Sequence, residues 1–231
     1  MAAVLVGAAI LAATGNVEEG AAGNLSLAMT AVLQIPLWSG YLGVPIYAAR
    51  YKGNGLVADF RLRMELLDVP KGIGAGLATQ LVAIPLLYVL IFALTDALGW
   101  DIDHDLSGAA RDLVSKATDP VGVVLLVLIT VVLAPVIEEL FFRGLLLRSI
   151  ENKFGPRWAL WGSSIVFAAV HLQPLQFPAL VLIGLVLGWL ALRTGRLGPS
   201  IWAHVAFNAT ATASLLLVDH VAKATTVPIP R

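Results

Sequence analysis

Long apolar runs separated by short polar breaks set the pattern of this chain. The runs cover residues 25–49, 74–98, 121–148, 157–171, 177–192 and 199–218. About 20 apolar residues wound as a helix cross the hydrocarbon core of a bilayer, so the pattern predicts six membrane spans. Pro36 and Pro45 fall inside the first run, a placement that membrane helices tolerate better than soluble ones. Residues 1–13 are apolar but short and lack the basic start of a signal peptide, which fits a short extra span or the remnant of one.

The polar breaks alternate in charge. Arg50, Lys52, Arg61, Arg63 and Lys71 lie in the first connector, and its middle, residues 60–69, mixes apolar and charged positions as an interfacial turn or helix would. The next connector, residues 96–119, is acidic, with Asp96, Asp101, Asp103, Asp105, Asp112 and Asp119 against Arg111 and Lys116. Basic residues return at 148–157 and at 193–196. Basic loops mark the cytoplasmic side, so the first span starts outside, and a crossing by residues 1–13 would put the N-terminus inside.

Composition narrows the class. Of 231 residues, 58% are hydrophobic and 13% charged, and the mean hydropathy is +0.86. Soluble domains carry roughly 25% charged residues, so the chain reads as one all-α, polytopic, integral-membrane domain over residues 1–231, in contact with the lipid bilayer. Its Ala- and Gly-rich make-up and compact length fit a prokaryotic plasma membrane. Fifteen basic residues balance fifteen acidic ones, which argues against nucleic acid as a partner. The absence of cysteine removes disulfides, thiolate metal sites and a cysteine nucleophile from consideration.

Three polar islands interrupt the later spans. Glu138, Glu139 and Arg143 form the first, with Glu139 and Arg143 four apart and able to meet on one helix face. His171, four residues after Phe167, is the second; His204 and Asn208, again four apart, are the third. Ionisable groups in a membrane segment are costly and mark function by default. A short turn near residues 152–156 makes the third and fourth spans antiparallel. Glu138 and His171 then both stand about 20 Å from that turn and can meet. His204 comes soon after Pro199 and is shallower, unless the turn at residues 195–199 is recessed or the fifth helix tilted.

Brought together, these groups suit hydrolysis. Two carboxylates in a low-dielectric site can supply a base strong enough to take a proton from water. Arg143 reads as orienting a glutamate, and His171 either shares the base role or binds metal. His204 and Asn208 offer donors to an oxyanion, or a nitrogen and an oxygen to zinc. A metal set would draw on His171, His204, Asn208 and Glu139. Phe167 reads as packing, Glu18, Glu19, His104 and His220 as solvated, and Trp158, Trp161, Trp189 and Trp202 as interface anchors and packing.

Glu138-Glu139-Leu140-Phe141-Phe142-Arg143, Phe167-Ala168-Ala169-Val170-His171 and His204-Val205-Ala206-Phe207-Asn208, in this order on successive spans, resemble the CPBP family. This group comprises the type II CAAX prenyl proteases and the bacterial Abi or bacteriocin-processing proteins. The resemblance covers residues 121–218. It implies an intramembrane endopeptidase acting on a peptide or protein, prenylated in the eukaryotic role. It further implies that the glutamates and His171 activate water while His204 and Asn208 support the oxyanion or a metal, by a zinc or a metal-free route.

Other intramembrane proteases fit poorly. His-Glu-x-x-His is absent, Gly162-Ser163-Ser164-Ile165 is not the rhomboid Gly-x-Ser-Gly, and no Gly-x-Gly-Asp occurs. The alternative from another class is a non-enzymatic scaffold or immunity protein, or a proton-coupled transporter. A transporter commonly shows repeated halves, and none is visible in the sequence.

Overall fold

The computed structural model describes residues 27–100 and 106–225. Residues 1–13, Glu18, Glu19 and His104, on which expectations were placed, lie outside them. Among the described residues the regular structure is wholly helical: α1 (Leu27–Tyr51), α2 (Leu56–Asp59), α3 (Asp68–Ala97), α4 (Gly108–Ser115), α5 (Pro120–Phe154), α6 (Pro156–Ala169), α7 (Phe177–Thr194) and α8 (Gly198–Thr225). The polytopic helix bundle is thus the observed fold.

Five of these helices, α1, α3, α5, α7 and Gly198–Val221 of α8, are long and apolar enough to cross a membrane. The run at 157–171 becomes α6, only 14 residues long. At 1.5 Å per residue it spans about 21 Å, short of the roughly 30 Å core. Within the acidic connector, α4 packs Val114 and nearby Ala117 against Leu27 and Leu126. The stretch at 60–67 is a turn that buries Phe60 and leaves Leu66 and Leu67 exposed.

Local sequence accounts for the helix ends. Asp119 caps α5 by accepting from Gly122 N at 2.8 Å, with Pro120 in the first turn where no N–H is needed. Gly195, at φ +69°, ends α7 in the left-handed conformation that glycine adopts without a Cβ penalty. Arg148 adds a side-chain donor there, giving Nη2–H to Ala191 O at 2.7 Å.

The burial pattern inverts that of a soluble protein. Large apolar residues such as Leu86, Val89 and Leu90 face outward, as do Trp158, Trp161 and Trp189, while Glu139 and Arg143 are wholly enclosed. Two apolar clusters flank that enclosed pair. One gathers Ala49, Phe60, Leu140, Ala191, Leu197 and Ile201; the other gathers Phe142, Phe167, Ile183, Leu187, Leu190 and Ala203.

Candidate active site

Helix α5 carries the two carboxylates through a backbone that proline has widened. A proline lacks the N–H of a normal helical turn and crowds the carbonyl four residues back. Before Pro135 the helix relaxes into a wide turn at Leu128–Leu133, in which Ala134 N–H reaches five residues back to Ile129 O. The Thr130 carbonyl takes its hydrogen from another helix: Asn208 Nδ2 of α8 donates to it at 2.8 Å. Pro85 produces the same geometry in α3, where Ile84 N–H reaches Thr79 O. Such turns recur near functional sites. A third, Leu140–Leu146, follows the glutamates directly.

Glu139 is the hub of the charges. Its Oε1 accepts from Arg143 Nη1 at 2.7 Å and from His204 Nδ1 at 3.0 Å, and all three side chains are buried. The buried Ser200 side chain lies against the same carboxylate. Arg143 also donates through Nη2 to Gly184 O at 3.2 Å, tying α5 to α7. Glu138 behaves differently: its side chain is 16% exposed, and its Oε2 stands 3.9 Å from His204 Nε2. That exceeds hydrogen-bond length.

Phe167 gathers what remains. Arg143 Cζ lies 4.4 Å from the centre of its ring, a cation–π distance. His171 meets the ring at 4.7 Å, His204 at 5.7 Å and Phe142 at 5.2 Å, centre to centre. His171 also gives its Nδ1–H to Phe167 O at 2.7 Å. The acceptor there is a carbonyl, so the neutral ring must protonate Nδ1 and keep a lone pair on Nε2. The three islands do converge, and His171 joins through an aromatic ring.

The start of α8 is covered by the rest of the bundle. Leu197, Gly198, Pro199 and Ser200 are buried, so α8 begins inside the bundle.

Residues 120–210 match the family model of the type II CAAX prenyl endopeptidase Rce1-like proteins. The match agrees with the CPBP resemblance carried by the three motifs. Comparison with curated proteins and with solved structures gave no match. The Rce1-like segment runs from the start of α5 into α8 and contains all three polar islands. A protease family of this kind implies a peptide substrate and an integral-membrane setting.

Phe167, which reads from the sequence as packing, does pack, and its ring touches all three islands of this Rce1-like site. Its signal was present, because Phe167 precedes His171 by one helical turn. Tyr41 of α1, stacked on Phe141 at 4.7 Å and edge-on to Phe142 at 5.3 Å, brings the first half of the chain to the site and had no motif to announce it. Among the described residues no three His, Asp or Glu side chains are arranged to hold a metal. Glu139 Oε1 is engaged by Arg143 and His204 while its Oε2 has no hydrogen-bond partner among the described residues, and the Asn208 amide nitrogen and His171 Nδ1 are held by backbone carbonyls, which leaves His171 Nε2 as the ligating atom of that ring.

Proposed function

We propose that this chain is a prokaryotic plasma-membrane endopeptidase whose helices act as one domain and whose Glu138 activates water against a peptide carbonyl. One observation carries the reading. Arg143 and His204 both bind Glu139, which leaves the neighbouring Glu138 partly open and uncompensated at hydrogen-bond range. Glu139 is then the positioning carboxylate and Glu138 the reacting one.

In this mechanism Glu138 and the Nε2 lone pair of His171 hold a water, and Glu138 takes its proton. The hydroxide oxygen bonds to the carbonyl carbon, and the carbonyl π electrons move to oxygen. Asn208 keeps a second amide hydrogen beyond the one given to Thr130 and can donate it to the oxyanion, and His204 would add an Nε2–H donor only as an imidazolium. Glu138 returns its proton to the amide nitrogen as the C–N bond breaks, which leaves an acid and an amine. The substrate is a peptide segment entering from the membrane, and a prenylated peptide is the first to test because that is the substrate of the matched family.

The experiment uses the full chain in lipid nanodiscs with a fluorogenic prenylated peptide. Glu138→Gln should lower kcat at least about a thousandfold, the scale of losing a reacting base, with helicity and melting temperature unchanged. Wild-type cleavage should survive a strong chelator. Persistence of cleavage in Glu138→Gln would remove Glu138 from the reaction, and a wild-type chain inert toward peptides would favour the scaffold alternative.

A further inference from the structure

The family match begins at residue 120, yet the start of α8 is held by residues 61–76. Asp68, the first residue of α3, is fully buried. Arg196, in the turn before α8, grips it through Nε at 2.9 and 3.1 Å and through Nη2 at 2.7 Å. The same carboxylate accepts Glu65 N–H at 2.8 Å. Leu197 N–H donates to Arg61 O at 3.1 Å and Gly198 N–H to Arg63 O at 3.2 Å. The opening N–H groups of a helix have no partner within it, and here the first half of the chain supplies two.

One turn further in, Gly72 and Gly76 bring the backbones of α3 and α8 together. A Cβ on Gly72 would strike Pro199 O and Trp202 Cβ; one on Gly76 would strike Ala203 O and Ala206 Cβ. Small residues four apart permit such close approach between membrane helices. Two glycine contacts at helical spacing, plus a bidentate ion pair at the end, leave α8 one rotation and one depth. A slip of one residue would turn it by about 100° and shift it by about 1.5 Å. His204, next to Ala203, could not then keep Nδ1 at 3.0 Å from Glu139.

We propose that the Asp68–Arg196 pair and the Gly72–Gly76 contact are the seat that sets the register of α8 and so places His204 on Glu139. The residues are positioning ones, acting on His204 through the helix. The inference rests on the endopeptidase reading only for what His204 does once placed.

The test is the imidazole Nδ1–H resonance of 15N-histidine-labelled full chain in nanodiscs without peptide. A carboxylate-bound Nδ1–H appears at low field; loss in Glu139→Gln and in His204→Gln assigns it to this contact. Asp68→Asn and Gly76→Ala should abolish it or move it upfield while the helical circular dichroism remains. Glu151→Gln, which breaks an ion pair away from the seat, should leave it in place. Arg196→Lys, which keeps charge but loses the bidentate fork, should give an intermediate shift. For any peptide that is cut, kcat should fall about a hundredfold in Asp68→Asn with KM within about twofold, the mark of misplacement.

An unchanged resonance in Asp68→Asn and Gly76→Ala overturns the proposal and makes the seat a brace for stability alone. Its absence from the wild type overturns the Glu139–His204 contact and the proposal with it. Should Asp68→Asn not fold, Gly76→Ala and Arg196→Lys decide by the same signal. A chain that shows the resonance and its loss, but cuts no peptide, supports the seat and retires the endopeptidase reading.

Discussion

Arg143 reaches Glu139 from one turn further along the same helix, whereas Arg196 reaches Asp68 across 128 residues of chain. The first pair is wholly enclosed. The second lies at the end of the bundle, with Arg196 18% exposed and a second, more exposed partner in Glu65 at 2.8 Å. The helix brings the local pair together almost without further entropic cost, so the pair can be devoted to electrostatics: it keeps a charge beside His204. Joining the distant pair closes a long loop, and that pair acts on topology by holding the two halves in register. Asp68 in return holds the Arg196 guanidinium above the usual arginine range, and a guanidinium is charged throughout the working pH range in any case.

Breaking each pair should separate these roles. Arg143→Met leaves a buried carboxylate uncompensated and should cost about 3–5 kcal/mol in equilibrium unfolding. Adding Glu139→Gln should restore part of that loss, and an unchanged single variant would show that Glu139 is not charged in the fold. Asp68→Asn should lower the melting temperature by about 2–4 °C, less than Arg143→Met because Arg196 retains Glu65 and water; a larger drop would make the outer pair the main support of the bundle. Glu151→Gln removes the partly exposed Arg148–Glu151 contact of 2.8 Å and should change stability by no more than about 0.5 kcal/mol. A greater change would mean that the Arg148 bond to Ala191 O depends on that carboxylate.

The same contrast shows what a sequence can reveal. Glu139 and Arg143 announce themselves because helical periodicity converts a spacing of four into a contact. The link between the first island and His171 is less direct than the rise per residue suggests, since it runs through the Phe167 ring, and the six apolar runs follow from the solvent they face. Asp68 and Arg196 carry no such signal. Each stands in a basic, loop-like stretch where a charge is ordinarily solvated, and only the packed bundle reveals the pair. The contact of His204 with Glu139 is hidden for the same reason, since residue count after Pro199 places His204 too shallow for it. The run at 157–171 reads as a span by its hydropathy, although its 15 residues already fall short of the about 20 that a crossing helix needs.

Pro135 has a consequence for the residue alphabet at position 208. Proline cannot offer an N–H, and Ala134 has turned its own to Ile129, so the Thr130 carbonyl looks outward across the bundle to Asn208. Lipid offers no substitute donor at that depth. Whatever occupies 208 must give a hydrogen to α5, and a primary amide does so with a second hydrogen to spare. Aspartate would set acceptor against acceptor, and leucine would leave the carbonyl without this donor. The choice of asparagine is therefore written partly in a proline on another helix.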